Sequence, residues 1–175
     1  MSRIAADEKQ IRNAYEAVCD DPQWTESCRL IAEGKPPSEM FQAMAVRPDI
    51  LRALSAFGTA VYPGGLLERG LKERVVVAVS EANHCQYCVG SHTGTLHRLG
   101  LAPDSSAYSA RENAALAYTR AAVANPPFVS DDLWRETREH FTEEEIVELT
   151  LLIGLTGMLN RFNDCLNVHY NNDYE

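Results

Sequence analysis

The chemistry in this sequence is concentrated in one stretch, residues 73–100, ERVVVAVSEANHCQYCVGSHTGTLHRLG. It holds two of the five cysteines as a Cys-x-x-Cys pair, Cys85 and Cys88, and three of the five histidines, His84, His92 and His97. Two carboxylates, Glu73 and Glu81, precede the pair. A cysteine thiolate is a strong nucleophile and two nearby thiols can close to a disulfide. An imidazole and a carboxylate can carry the protons such chemistry needs.

Helical spacing decides which of these groups can act together. Asn83 is a good N-cap, and Gly100 suits the left-handed residue that closes a helix, so a helix is expected over about 84–99. Cys85 then sits in the first turn, with Cys88 one turn later. Residues three and four apart share a helix face, which aligns Cys85, Cys88 and His92. Free N–H groups at a helix start stabilise an anion, and this argument favours Cys85 as the more easily ionised thiol. Glu73 would lie roughly 18 Å from Cys85 along one straight helix. A reversal of the chain near Ala82 and Asn83 changes that, because Glu73 then faces His92 and a Glu–His–Cys relay becomes geometrically available. Glu81 is nearer in sequence but reads as an exposed helix-end residue, and His84 and His97 as surface histidines. The pair also admits a zinc site with His92 as third ligand, although no second Cys-x-x-Cys or His-x3-His pair follows. Two inert buried cysteines are the remaining reading.

The run Glu73-x11-Cys85-x2-Cys88-x3-His92 resembles the alkylhydroperoxidase D-like (AhpD-like) branch of the carboxymuconolactone decarboxylase family. The segment LKERVVVAVSEANHCQYCVGSH is similar to its peroxidase-related members, and the likeness extends from about Phe41 to Asn167. The resemblance implies an all-helical fold, an oligomer built from trimers or a hexamer, and a thiol-dependent peroxidase that needs no bound cofactor. It implies Cys88 as the peroxidatic and Cys85 as the resolving cysteine, with Glu73 and His92 as a water-assisted proton relay. It also implies a hydroperoxide substrate and an external dithiol reductant, lipoyl- or thioredoxin-like. The helix-terminus argument and the resemblance disagree over which cysteine attacks first. One departure is visible: Tyr87 stands where the best-studied members carry a histidine, so Tyr87 and Glu81 are accessory candidates. The decarboxylase branch lacks the cysteine pair, which argues against lactone decarboxylation.

Composition narrows the setting. The formal net charge of −9 argues against nucleic-acid binding, which wants a basic face, and leaves no polybasic membrane patch. Asp7, Glu8 and Lys9 interrupt any apolar core of a leader segment. Ile146 to Leu159 is short for a membrane span and contains Glu148. A cytoplasmic protein is expected, where paired cysteines serve redox or metal chemistry rather than stapling the fold. Cys19, Cys28 and Cys165, isolated in sequence, read as packing residues.

The elements that must hold the site read as an all-α chain, a single compact helical domain of about seven or eight helices, divided into a helical arm over 1–37 and the site-bearing part over 38–175. Ile11, Tyr15 and Val18 give a first helix and Trp24–Ile31 a second, closed by Gly34. Ser38 opens a short helix, and Pro48 starts one with Ile50, Leu51, Leu54, Phe57 and Val61 as its apolar face. A helix over about 71–82 precedes the cysteines. VVVAV at 75–79 is β-prone and could open a thioredoxin-like unit, but nothing downstream supplies the other strands. After a loop at 101–104, Ser109 caps a helix to Ala124, stopped by Pro126-Pro127. Ser130 caps another. Thr142 and Glu145 form a capping box for a helix to about Phe162 that is apolar on nearly every side, which fits central burial or a subunit interface. Asn160, Arg161, Asn163 and Asp164 either line a cleft near the cysteines or form a solvated helix end. His169 and Tyr170 read as a loose tail. A non-catalytic redox sensor or partner-binding module of the same fold is the alternative to an enzyme.

Overall fold

The computed structural model describes residues 2–101, 108–124 and 129–170. Among them are nine α-helices, one more than the upper expected count, and no strand. They are α1 (Glu8–Val18), α2 (Thr25–Ala32), α3 (Glu39–Ala45), α4 (Pro48–Val61), α5 (Arg69–Ala82), α6 (Gln86–Arg98), α7 (Ala110–Ala124), α8 (Asp131–His140) and α9 (Glu143–Leu166). A 3-10 turn, Pro22–Trp24, precedes α2. Pro48 at the first turn of α4 keeps the seven-residue α3 separate, because proline cannot extend the preceding hydrogen-bond ladder. Ala102–Asp104 of the expected loop, and the Pro126-Pro127 stop, lie outside the described residues. The chain forms two compact units: residues up to Gly65 together with those from Arg161 onward, and Leu66–Asn160.

In the first unit α1 packs on α3 and α4. Asp7 and Gln10 cap α1 reciprocally, at 2.8 and 2.9 Å. The Trp24 ring meets Phe41 edge-on at 5.6 Å, and its Nε1–H donates to Ser55 Oγ at 2.9 Å. Asp21 accepts from Gln23 N at 2.8 Å, from Thr59 Oγ1 at 2.6 Å and from Ser55 Oγ. This polar knot turns α4 away from its expected orientation. The buried face is Leu51, Ser55, Gly58 and Val61, whereas Ile50 and Phe57 are exposed. Serving Asp21 and the indole requires the hydroxyls of Ser55 and Thr59 to point inward. Gly58 allows the close approach, since a Cβ there would stand 2.4 Å from Gln23 Oε1. The tail is tied down rather than loose: Val168 is buried and His169 N donates to Glu39 Oε2 at 2.9 Å.

In the second unit α5 packs on α6 and α7, and α7 on α8. The β-prone run at 75–79 is helical, with Val75, Val76 and Val79 buried; burial among helices overrides the β preference of its valines. Lys72, fully buried, pairs with Glu148 of α9 at 2.6 Å. The Glu148 carboxylate also accepts from the backbone N–H groups of Leu66 and Leu67, at 2.5 and 3.1 Å. Three donors thus satisfy one buried carboxylate, the condition under which a buried charge is tolerated. The Thr142–Glu145 box forms as expected. Arg111 binds Glu145 at 2.7 Å, holds that carboxyl below the ordinary range by hydrogen bonding to it, and lies over the Phe141 ring at 4.1 Å. The long helix is not buried all round. Ile146, Leu149, Leu152 and Leu155 face the core, but Val147, Leu151 and Met158 are exposed, and a Cβ on Gly154 would meet open space. No described helix is long and apolar enough to cross a membrane.

Replacing Lys72 by Met would leave Glu148 buried with only its two backbone donors. We expect a loss of about 3 kcal/mol of stability, read as a lower denaturation midpoint with unchanged slope; an unchanged midpoint would show that the pair contributes nothing.

Candidate active site

The site is built where α5 turns into α6. Asn83 is the C-cap of α5, not the N-cap of the following helix. His84 adopts φ +62°. His84 N donates to Glu81 O at 3.1 Å and Cys85 N to Ser80 O at 2.9 Å. These two bonds define a Schellman closure. Gly100 closes α6 in the same way, with φ +69°. At the first closure the left-handed position carries a histidine, where a β-carbon is strained. The reason for the strain is visible in the connection: Cys85 is at once the last residue of the α5 closure and the N-cap of α6. The two helices share it with no spare residue between them.

This shifts the expected register. α6 begins at Gln86, so Cys85 stands at the cap and Cys88 at the third helical position, inside the first turn. The stabilisation that a helix start gives to an anion therefore reaches Cys88, and the argument from the terminus no longer singles out Cys85. Burial separates the two further: Cys85 is 0% exposed and Cys88 5%.

The reversal lays α5 against α6 and brings Glu73 to His92. Glu73 Oε2 lies 2.6 Å from His92 Nδ1, and Glu73 Oε1 accepts from Arg69 Nε at 2.5 Å. The carboxylate is fully buried, with an opposite charge on one oxygen and the imidazole on the other. Nδ1–H donates to the carboxylate, which leaves Nε2 as the proton-accepting nitrogen. His92 is half-buried and lies one turn beyond Cys88 on the same helix. Glu73 and His92 are thereby brought together, with Cys88 one turn before His92 on α6 and Cys85 at the shared cap. Tyr87 is buried, whereas Glu81, His84 and His97 are exposed. Among the described residues no three His, Cys, Asp or Glu side chains are grouped so that they could hold a metal ion.

Two residues support the site: Arg69, outside the expected site residues, and Asn160, for which the sequence leaves a cleft-lining and a solvated position open. Arg69 carries the plain signal of an i,i+4 partner for Glu73. Asn160, at the end of the apolar run of α9, is 1% exposed. Its Nδ2 donates to Ser80 Oγ at 3.0 Å, and its Oδ1 accepts from Asn83 Nδ2 at 2.9 Å. The polar end of α9 is thus split: Asn160 and Asn163 are buried, Arg161 and Asp164 exposed. Of the isolated cysteines only Cys28 is buried, while Cys19 is half-exposed and Cys165 exposed. Burial, with Cys19, Asp21 and Asp20 nearby, pushes the Cys28 thiol up to about 11, which makes it a poor nucleophile.

The carboxymuconolactone decarboxylase family model matches residues 48–125, a segment that contains the helix reversal and all four side chains. The protein YnjA of Escherichia coli (strain K12) is 30% identical over 112 residues, 58% of this chain and 62% of YnjA, so the match spans less than two thirds of that relative. A peroxidase-related protein with an alkylhydroperoxidase AhpD core, from Ralstonia eutropha JMP134, superposes with a TM-score of 0.77 at 25% identity, over 98% of this chain and 93% of that one. The debrominase Bmp8 shares the fold at a TM-score of 0.70 and 22% identity, over 88% of this chain and 89% of that one. An all-helical scaffold of AhpD type is the class these findings define. Residues 48–125 match the carboxymuconolactone decarboxylase family, and the fold is that of AhpD-like proteins.

The strained position offers a direct test. His84→Gly relieves the β-carbon and is expected to raise stability by up to about 1 kcal/mol, whereas the β-branched His84→Val lowers it by about 1–2 kcal/mol. Equal stabilities in a denaturant titration would contradict the strained closure.

Proposed function

We propose that this chain is a thiol-dependent peroxidase that reduces hydroperoxides through a Cys85/Cys88 dithiol–disulfide cycle. The observation that carries the reading is the 2.6 Å contact between Glu73 and His92, made across the helix reversal on the helix that presents Cys88. A buried carboxylate stabilises the imidazolium that forms when Nε2 takes the Cys88 thiol proton, directly or through water. The Cys88 thiolate attacks one peroxide oxygen and the O–O bond breaks. The sulfur becomes a sulfenic acid, and the leaving alkoxide takes the proton from His92 as an alcohol. Cys85 then condenses with the sulfenic acid, releasing water and forming the disulfide. An external dithiol, lipoyl- or thioredoxin-like, restores both thiols by exchange. The slight exposure of Cys88 against none for Cys85 supports Cys88 as the cysteine that meets the substrate. Bmp8 carries a different chemistry on this fold, so the reading rests on the site and not on the architecture.

The setting is part of the same proposal. The net charge of −9 suits a cytoplasmic protein that engages neither nucleic acid nor an anionic membrane. Val147, Leu151 and Met158 form an exposed apolar stripe on α9, at the spacing by which helices of neighbouring copies pack. We assign this stripe to a homo-oligomer contact, in a trimer or hexamer.

Cys88→Ser is expected to abolish peroxide consumption with a supplied dithiol. Cys85→Ser should react once and stop at a sulfenic acid detectable by mass spectrometry. Glu73→Gln should slow the first oxidation about 10²-fold. Unchanged consumption by Cys88→Ser would overturn the reading. Oxidation of the wild-type pair without steady turnover, accompanied by a change in oligomer size, would replace it with a redox sensor.

A further inference from the structure

Asn160 grips the C-terminal end of α5, on the near side of the reversal that presents the cysteines. We propose that it is a positioning residue for the Cys85–Cys88 couple, holding Cys85 where it can close on Cys88. An amide buried to 1% exposure, on a helix otherwise rich in leucine, costs free energy unless its polar atoms are bonded. Both of its hydrogen bonds go to the reversal and nowhere along α9: Nδ2 to Ser80 Oγ at 3.0 Å, and Oδ1 from Asn83 Nδ2 at 2.9 Å. Ser80 is itself fully buried, and its carbonyl receives the Cys85 N–H at 2.9 Å. Asn83 immediately precedes His84, the residue at φ +62°. The carboxamide thus holds the side chains of two residues on the near side of the strained residue, and the backbone bond from Cys85 N to Ser80 O passes that restraint to the first cysteine. A strained non-glycine conformation persists only where its surroundings over-determine it, and Asn160 supplies two of those restraints.

The consequence falls on disulfide closure. In that step Cys88–S–OH and Cys85–S–H form one S–S bond and release one water. Its rate and equilibrium both depend on the effective concentration of one sulfur at the other, which a rigid reversal raises. The kinetic half of this inference rests on the dithiol cycle proposed above; the equilibrium half does not.

The test uses the full chain and the variants Asn160→Ala and Ser80→Ala. Each is equilibrated with dithiothreitol buffers of graded redox ratio, without peroxide, and the Cys85–Cys88 state is read by alkylation and mass spectrometry. Asn160→Ala should shift the balance about tenfold toward the dithiol, about 30 mV less negative, and Ser80→Ala less far in the same direction. In a separate peroxide pulse, closure after the first oxidation should slow about tenfold while the first oxidation of Cys88 keeps its rate. Should Asn160→Ala fail to fold, Ser80→Ala and Asn83→Ala each remove one of the two bonds and carry the measurement. An unchanged balance in folded variants overturns the proposal, as does a first oxidation that slows in parallel with closure. A shifted balance in a chain that never turns over peroxide upholds the positioning role and rejects the peroxidase. Normal turnover with an unmoved balance does the reverse.

Discussion

The site depends on one backbone event, the closure at Ser80–Cys85. A Schellman closure normally ends a helix and lets the chain wander off. Here its last residue is also the cap of the next helix, so α5 and α6 are joined as tightly as two helices can be. That economy brings Glu73 onto His92, and it forces a side chain into the left-handed region at His84. The strain at one residue and the carboxylate–imidazole contact about two turns away are consequences of the same geometry.

Burying Glu73 completely is only reasonable because both of its oxygens are engaged. Arg69 reaches it from one turn earlier on α5, and His92 from across the reversal. A buried carboxylate without such partners would give up its charge by taking a proton. Ionised, it orients the imidazole and opposes the positive charge that the ring gains when it takes a proton. The same unit uses this device a second time at Lys72 and Glu148. There the partners are two backbone N–H groups and an ammonium, and the result is an anchor for the start of α5. The two pairs differ in the partner: Lys72 is fully buried, whereas His92 is half-buried.

Much of this was legible in the residue pattern. The helical periodicity, the capping residues Ser38, Ser130 and Thr142, and Gly34 and Gly100 at helix ends depend on neighbours three or four residues away, and they read correctly. Rejecting a strand at 75–79 also needed only the helical pattern downstream. The misreadings share a different cause. Asn83 is a good N-cap by type, but whether it closes one helix or opens another depends on where the chain goes next. Of the expected apolar face of α4, Leu51 and Val61 are buried but Ile50 and Phe57 are not, because Asp21 and Trp24, far away in sequence, draw Ser55 and Thr59 inward. For Asn160 the sequence leaves a cleft and a solvated helix end both open, because nothing in its own neighbourhood reveals Ser80 and Asn83.

By itself, then, the amino-acid order determined the helices, their ends, and which residue types were available for thiol and proton chemistry, since those properties are set within a turn or two of the chain. Tertiary structure alone decided that the α5 closure runs on to Cys85 and so leaves Cys88 inside the first turn of α6, that Glu73 meets His92, and that Asn160 braces the reversal. Each depends on where the chain goes after a bend or on residues distant in sequence, and hydrogen bonds over such separations leave no periodic trace in the sequence that makes them.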